Sequence, residues 1–136
     1  MVAAMESFQV PIGSDSDILV ARAQGRALAA RLGFPSSDLA LVATTISELA
    51  RNILSYAGTG EVAVQRIGDG HQTGILVIAR DKGPGIPDIH QALKDGYSTS
   101  GGLGLGLPGV RRLVDEFEIV SEVGRGTTVT VKKWKR

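Results

Sequence analysis

Two glycine-rich stretches at a short interval restrict this chain more than any other feature: Asp81-Lys82-Gly83-Pro84-Gly85-Ile86-Pro87, then Ser100-Gly101-Gly102-Leu103-Gly104-Leu105-Gly106-Leu107-Pro108-Gly109. Glycine at that density removes Cβ atoms, admits positive φ angles and lets backbone N–H groups turn toward an anion at the start of a helix. The carboxylate of Asp81, just ahead of the first glycines, accepts hydrogen bonds and donates none, which suits an amino group such as the one on adenine. Together the two stretches describe a nucleotide pocket with an acidic anchor and a phosphate cover.

Spacing excludes two commoner glycine motifs. Gly104-Leu105-Gly106-Leu107-Pro108-Gly109 fits G-x-G-x-x-G, but that fingerprint follows directly from a strand and opens a βαβ unit. The residues ahead of it, Asp95 to Ser100, are polar turn material. A P-loop requires a lysine and a hydroxyl after its last glycine, and neither stands there.

At 136 residues, 43% of them hydrophobic, the chain has the length and apolar content of one domain, taken as 1–136. The absence of cysteine excludes disulfides, thiolate metal sites and cysteine nucleophiles. Net charge is +1 and the basic residues are scattered except for Lys132, Lys133, Lys135 and Arg136, so no footprint for nucleic acid is present. No stretch of 18 apolar residues and no basic, apolar leader occurs, which argues against a membrane and for a cytoplasmic protein.

Phe8 to Ile12 reads as an edge strand that tolerates Pro11. Ser16 to Leu32 has helical periodicity, with Ser14, Asp15 and Asp17 as capping candidates and Gly33 as its stop. A second helix starts at Pro35-Ser36-Ser37-Asp38 and carries the stripe Leu39, Val42, Ala43, Ile46, Ala50, Ile53 and Leu54. Its other face holds Thr45, Glu48, Asn52 and Ser55. Glu61 to Ile67 and Ile75 to Asp81 form a hairpin, and the second of these, apolar on both faces, belongs mid-sheet with Asp81 at its buried end. Leu105 to Phe117 reads as a third helix with Pro108 in its first turn. Phe117 to Val123 and Thr127 to Lys133 complete the sheet across Gly124-Arg125-Gly126. This order favours a two-layer α/β sandwich, a mostly antiparallel mixed sheet covered on one face by helices, over a doubly wound parallel sheet.

Four elements in one order carry a resemblance: Glu48-Leu49-Ala50-Arg51-Asn52 on a helix, Asp81-x-Gly83-x-Gly85, the Gly101 to Gly106 run, and Gly124-x-Gly126-Thr127. They resemble the four nucleotide-binding boxes of the GHKL ATPase and kinase superfamily, which implies a Bergerat-type ATP-binding fold. Asp95 to Gly104 and Leu107-Pro108-Gly109-Val110 resemble more narrowly the RsbT-type switch kinases of bacterial stressosomes, single-domain serine/threonine kinases that act on STAS-domain proteins.

Glu48 and Asn52, four residues apart on a helix, stand one turn above the other and address a shared point. As an isolated pair they would be an ordinary solvated helix face; their place ahead of two glycine boxes favours chemistry. The resemblance implies that Asn52 helps hold Mg²⁺ and that Glu48 is general base toward the attacking hydroxyl. It implies that Asp81 accepts the adenine amino hydrogen, that Gly83 and Gly85 shape the turn, with Gly85 leaving room for the base, and that Thr127 supports the base, with Thr128 as substitute in a shifted register. Gly101, Gly102, Gly104 and Gly106 would cover the triphosphate. Without a ligand, the Asp-Gly-Pro segment is a strand-ending turn and the glycine run a surface loop. Arg51, Arg111 and Arg112 read as solvated helical arginines. His71 and His90 lack the setting of a phosphoacceptor.

The expected activity is Mg-ATP-dependent phosphorylation of serine or threonine on STAS-domain antagonist and scaffold proteins, a partner switch in stress signalling, with a downstream phosphatase or cyclase as second partner class. Two alternatives share the pocket: an anti-sigma factor of the same fold that binds a sigma factor, and a non-catalytic adaptor that keeps ATP for shape.

Overall fold

The computed structural model describes residues 6–86, 93 and 106–136. The segments with period-two alternation become strands and those with helical periodicity become helices, in the order β1 (Ser7–Ile12), α1 (Asp15–Arg31), α2 (Ser36–Tyr56), β2 (Gly60–Gly68), β3 (Thr73–Asp81), α3 (Gly106–Leu113), β4 (Glu116–Glu122) and β5 (Gly126–Trp134). The five strands form one sheet in the order β1-β2-β3-β5-β4, antiparallel in all four pairings. Strand β3 is central, as its apolar run requires: Ile75, Val77 and Ala79 are buried, and Leu76 and Ile78 on the other face are half-covered.

One face of the sheet carries the core. Val10, Ile12, Val62, Val64, Val129 and Val131 pack with Ile18, Leu28, Ile46, Leu49 and Ile53 of the first two helices. Each fully buried aliphatic side chain of this kind contributes about 1.5–3 kcal/mol. The opposite face, with Glu61, Leu76, Ile78, Arg80 and Thr130, is half-buried or exposed. The result is the two-layer α/β sandwich expected, with helices on a single face.

Helix α1 ends in a Schellman arrangement: Phe34 N–H donates to Ala29 O, Gly33 N–H donates to Ala30 O, and Gly33 takes a φ of +87°. At α3 the structure departs from the sequence reading. The helix stops at Leu113 rather than at Phe117, because the sheet captures the chain: Asp115 N–H donates to Lys132 O at 2.9 Å and Trp134 N–H donates to Asp115 Oδ2 at 2.7 Å. Phe117 is thereby a residue of β4, opposite Val131. Among the described residues no helix is long and apolar enough to cross a membrane.

Candidate active site

The strand register sets three side chains in a row. Asp81 at the end of β3 pairs with Thr127 on β5, and Thr127 pairs with Ser121 on β4; cross-strand partners share a face. Thr128 pairs with Arg80 instead, so it turns to the opposite face and does not replace Thr127. Asp81 Oδ1 accepts the N–H of Gly83 at 2.9 Å and of Thr127 at 3.3 Å. The first bond makes an Asx turn out of Asp81-Lys82-Gly83. Among the described residues both bonds fall on Oδ1, so Oδ2 keeps its capacity to accept from a ligand.

Helix α2 supplies the facing wall. Leu49, Asn52, Ile53 and Tyr56 line a cleft with Ala79, Asp81, Ile86, Leu107, Thr127 and Val129, with about 290 Å³ of empty space counted out to solvent. Apolar walls with a few convergent polar groups are the usual build of a small-molecule site. Asn52 is 7% exposed, and among the described residues neither its Oδ1 nor its Nδ2 has a hydrogen-bond partner. A buried amide left in this state costs free energy, which a ligand or cation can recover; an amide oxygen suits a hard cation that keeps most of its waters.

Glu48 lies one turn before Asn52 on α2 and is 2% exposed. It is not part of the cleft lining among the described residues. The polar face of α2 is thus solvated only at its end: Thr45, Glu48 and Asn52 are buried and Ser55 is exposed, where an outer face would show all four to water. Helix α3 packs against α2, and Gly106 opens α3 with a φ of +57°.

Two glycines are required by backbone approach. A Cβ on Gly126, whose φ is +119°, would stand 2.1 Å from Asp81 O. A Cβ on Gly85, at φ +81°, would stand 2.4 Å from Glu122 O. The space that the missing Cβ of Gly85 leaves is used by the β4–β5 hairpin. Gly83 and Gly85 still shape the turn that carries Asp81.

Gly101, Gly102 and Gly104 lie outside the described residues, as does His90. Arg111 and Arg112 are exposed and Arg51 is half-buried. His71 is exposed in the β2–β3 turn, where its N–H and that of Gln72 both donate to Asp69 Oδ1. The bond from Gln72, then that from His71, holds the Asp69 carboxyl below its ordinary pKa of 3.8. Sequence reasoning missed Ser121 and Tyr56. A turn read as Gly124-Arg125-Gly126 centres the hairpin on Arg125 and would set residue 123 opposite Thr127; the structure centres it on Gly124 and sets Ser121 there.

Residues 37–136 match the family described as histidine kinase-, DNA gyrase B-, and HSP90-like ATPase. The chain belongs to that family, and membership implies ATP binding. Within it the chain falls in the RsbT-type branch of GHKL kinases: it is 51% identical to serine/threonine-protein kinase RsbT of Bacillus subtilis (strain 168) over 127 residues, 93% of this chain and 96% of the relative. The anti-sigma F factor of Geobacillus stearothermophilus is 32% identical over 121 residues, 83% of this chain and 81% of that one. The crystal structure of the RsbU and RsbW domains of a Mycobacterium tuberculosis protein superposes with a TM-score of 0.63 at 24% identity, over 96% of this chain and 33% of that chain. That likeness concerns the fold alone.

Proposed function

We propose that residues 1–136 form a single GHKL-type kinase domain that transfers the γ-phosphate of Mg-ATP to serine or threonine on STAS-domain antagonist and scaffold proteins, and so acts as a cytoplasmic partner switch. The observation that carries the reading is the buried amide of Asn52, without a hydrogen-bond partner among the described residues, in the same cleft as the tethered carboxylate of Asp81. A site that leaves such an amide without a partner is built for something that supplies one.

In this reading Asp81 Oδ2 accepts the adenine amino hydrogen while the bonds to Oδ1 fix the carboxylate. Thr127 supports the base beside it. Gly83, Gly85 and Gly106 hold the backbone around the nucleotide, and Gly101, Gly102 and Gly104 contribute N–H groups to the phosphates. Asn52 holds Mg²⁺, which when bound neutralises phosphate charge. Glu48 takes the proton from the partner hydroxyl as its oxygen bonds to the γ-phosphorus and ADP leaves with the bridging oxygen. Positioning and electrostatics supply most of the rate. A dianionic phosphate added at a packed interface weakens the complex by repulsion and desolvation, and the released kinase then engages a downstream phosphatase or cyclase.

The similarity to anti-sigma F factors supports a second reading, in which the same fold binds a sigma factor. The test is transfer of label from γ-labelled Mg-ATP to purified STAS-domain proteins encoded beside the gene, with Asp81→Asn in parallel. Label on a partner serine or threonine, lost in the variant, supports the kinase; nucleotide binding without transfer favours the sigma-binding reading, to be tested on sigma factors. Normal ATP affinity in Asp81→Asn removes that residue as the adenine anchor.

A further inference from the structure

Ser121 stands beside the cleft, not in its lining, yet it joins two of the segments that build it, the turn after β3 and the start of β5. Its Oγ accepts Ile86 N–H at 2.7 Å, lies 2.7 Å from Thr127 Oγ1, and lies 3.3 Å from Gly126 O. A serine hydroxyl has one proton and two acceptor positions, and Ile86 occupies one of these. Two proton arrangements remain. In the first, Ser121 donates to Gly126 O, Thr127 donates to Ser121, and Thr127 offers the cleft only lone pairs. In the second, Ser121 donates to Thr127, and the Thr127 proton is released toward the cleft.

The 2.7 Å bond is kept in both, so the arrangements differ only in the remaining proton. It goes either to a 3.3 Å contact, beyond the usual 2.5–3.0 Å for O–H···O, or to an acceptor in the cleft at full strength. With an acceptor bound, the second arrangement wins. We propose that Ser121 is a positioning residue that turns Thr127 into a hydrogen-bond donor toward the purine ring nitrogen next to the amino group accepted by Asp81. This rests on the ATP-site reading above. Asp81 then supplies an acceptor and Thr127 a donor, side by side in the strand register. That polarity matches the amino group and bare ring nitrogen of adenine. It is inverted for a purine with a carbonyl and a ring N–H, which would leave buried groups facing their like.

The test is a double-mutant cycle on the full chain: Mg-ATP dissociation constants for wild type, Ser121→Ala, Thr127→Val and the double variant, with melting temperatures measured without ligand. Ser121→Ala should weaken ATP about two- to tenfold, the equivalent of one hydrogen bond. It should add no further loss in the Thr127→Val background, and Ser121→Thr, which keeps the hydroxyl, should restore binding. A purely structural serine would lower melting temperature with an additive effect on affinity. An ATP analogue with C–H in place of the ring nitrogen should bind wild type two- to tenfold more weakly than ATP does, a measurement independent of how any variant folds. Equal binding of the analogue, or an additive cycle, overturns the inference while leaving the ATP site standing. Wild type that binds no Mg-ATP overturns the ATP-site reading and the inference with it.

Discussion

Replacing Asn52 with leucine should stabilise the ligand-free protein while removing its response to nucleotide. The two side chains share one branched heavy-atom skeleton, and the open cleft that Asn52 lines gives the bulkier methyl groups of leucine room. In the folded chain Asn52 is buried with both amide atoms lacking a partner among the described residues. A buried polar group in that state costs about 1–3 kcal/mol, which leucine avoids. Across 136 residues, at roughly 2.1 cal/mol/K each, the unfolding entropy is about 0.29 kcal/mol/K, so the melting temperature should rise by about 3–10 °C. Wild type should gain about 2.7 kcal/mol from Mg-ATP at a hundred times its Kd, close to another 9 °C, and Asn52→Leu should gain nothing. Thermal unfolding with and without Mg-ATP reads both quantities. A variant that melts below wild type without ligand would refute the argument that this amide is held at a cost, and a retained nucleotide shift would remove Asn52 from the site.

Glu48→Gln keeps the shape of the buried side chain but not its basicity, so ATP affinity should hold while phosphoryl transfer falls about 10²- to 10⁴-fold; unchanged transfer in a single-turnover assay assigns Glu48 to structure. Gly126→Ala combines a φ of +119° with a contact at 2.1 Å, and should cost at least about 3 kcal/mol in urea unfolding. Gly124→Ala, at φ +83° with nothing within 4 Å, should cost only about 1–2 kcal/mol; equal losses would show that the contact with Asp81 is not what demands glycine. The Asp69 carboxyl titrates below its usual 3.8, so its contribution is present above that value and is lost as pH falls through the lower folded value. Carboxyl NMR titration should show this, and Asp69→Asn should flatten the acid dependence of stability in that window; a midpoint at or above 3.8 refutes it.

Legibility in the sequence followed the kind of signal each element emits. Strand β3 and helix α2 were readable because an apolar run bounded by turns and a long helical stripe have few alternative readings. The end of α3 was not, since Val114-Asp115-Glu116 is compatible with helix and only the sheet-side bonds of Asp115 decide against it. Asp81 and Thr127 were legible as parts of glycine boxes. Ser121 was not, because nothing local marks a serine in a strand as different from any other; its role comes from register. The demand that the hairpin places on Gly85 was hidden for a related cause, since its neighbour across space, Glu122, is remote in sequence.

The chain leaves the sheet after Asp81 and rejoins it at Glu116 as β4, two places away, and β5 then returns to fill the place between β3 and β4. The excursion is a closed loop, and closing a loop twice as long costs only about 0.6 kcal/mol more. Its length is therefore almost decoupled from the thermodynamics of the sheet that anchors it. Changes of length between Asp81 and Glu116 therefore leave the register that places Asp81 beside Thr127 almost untouched.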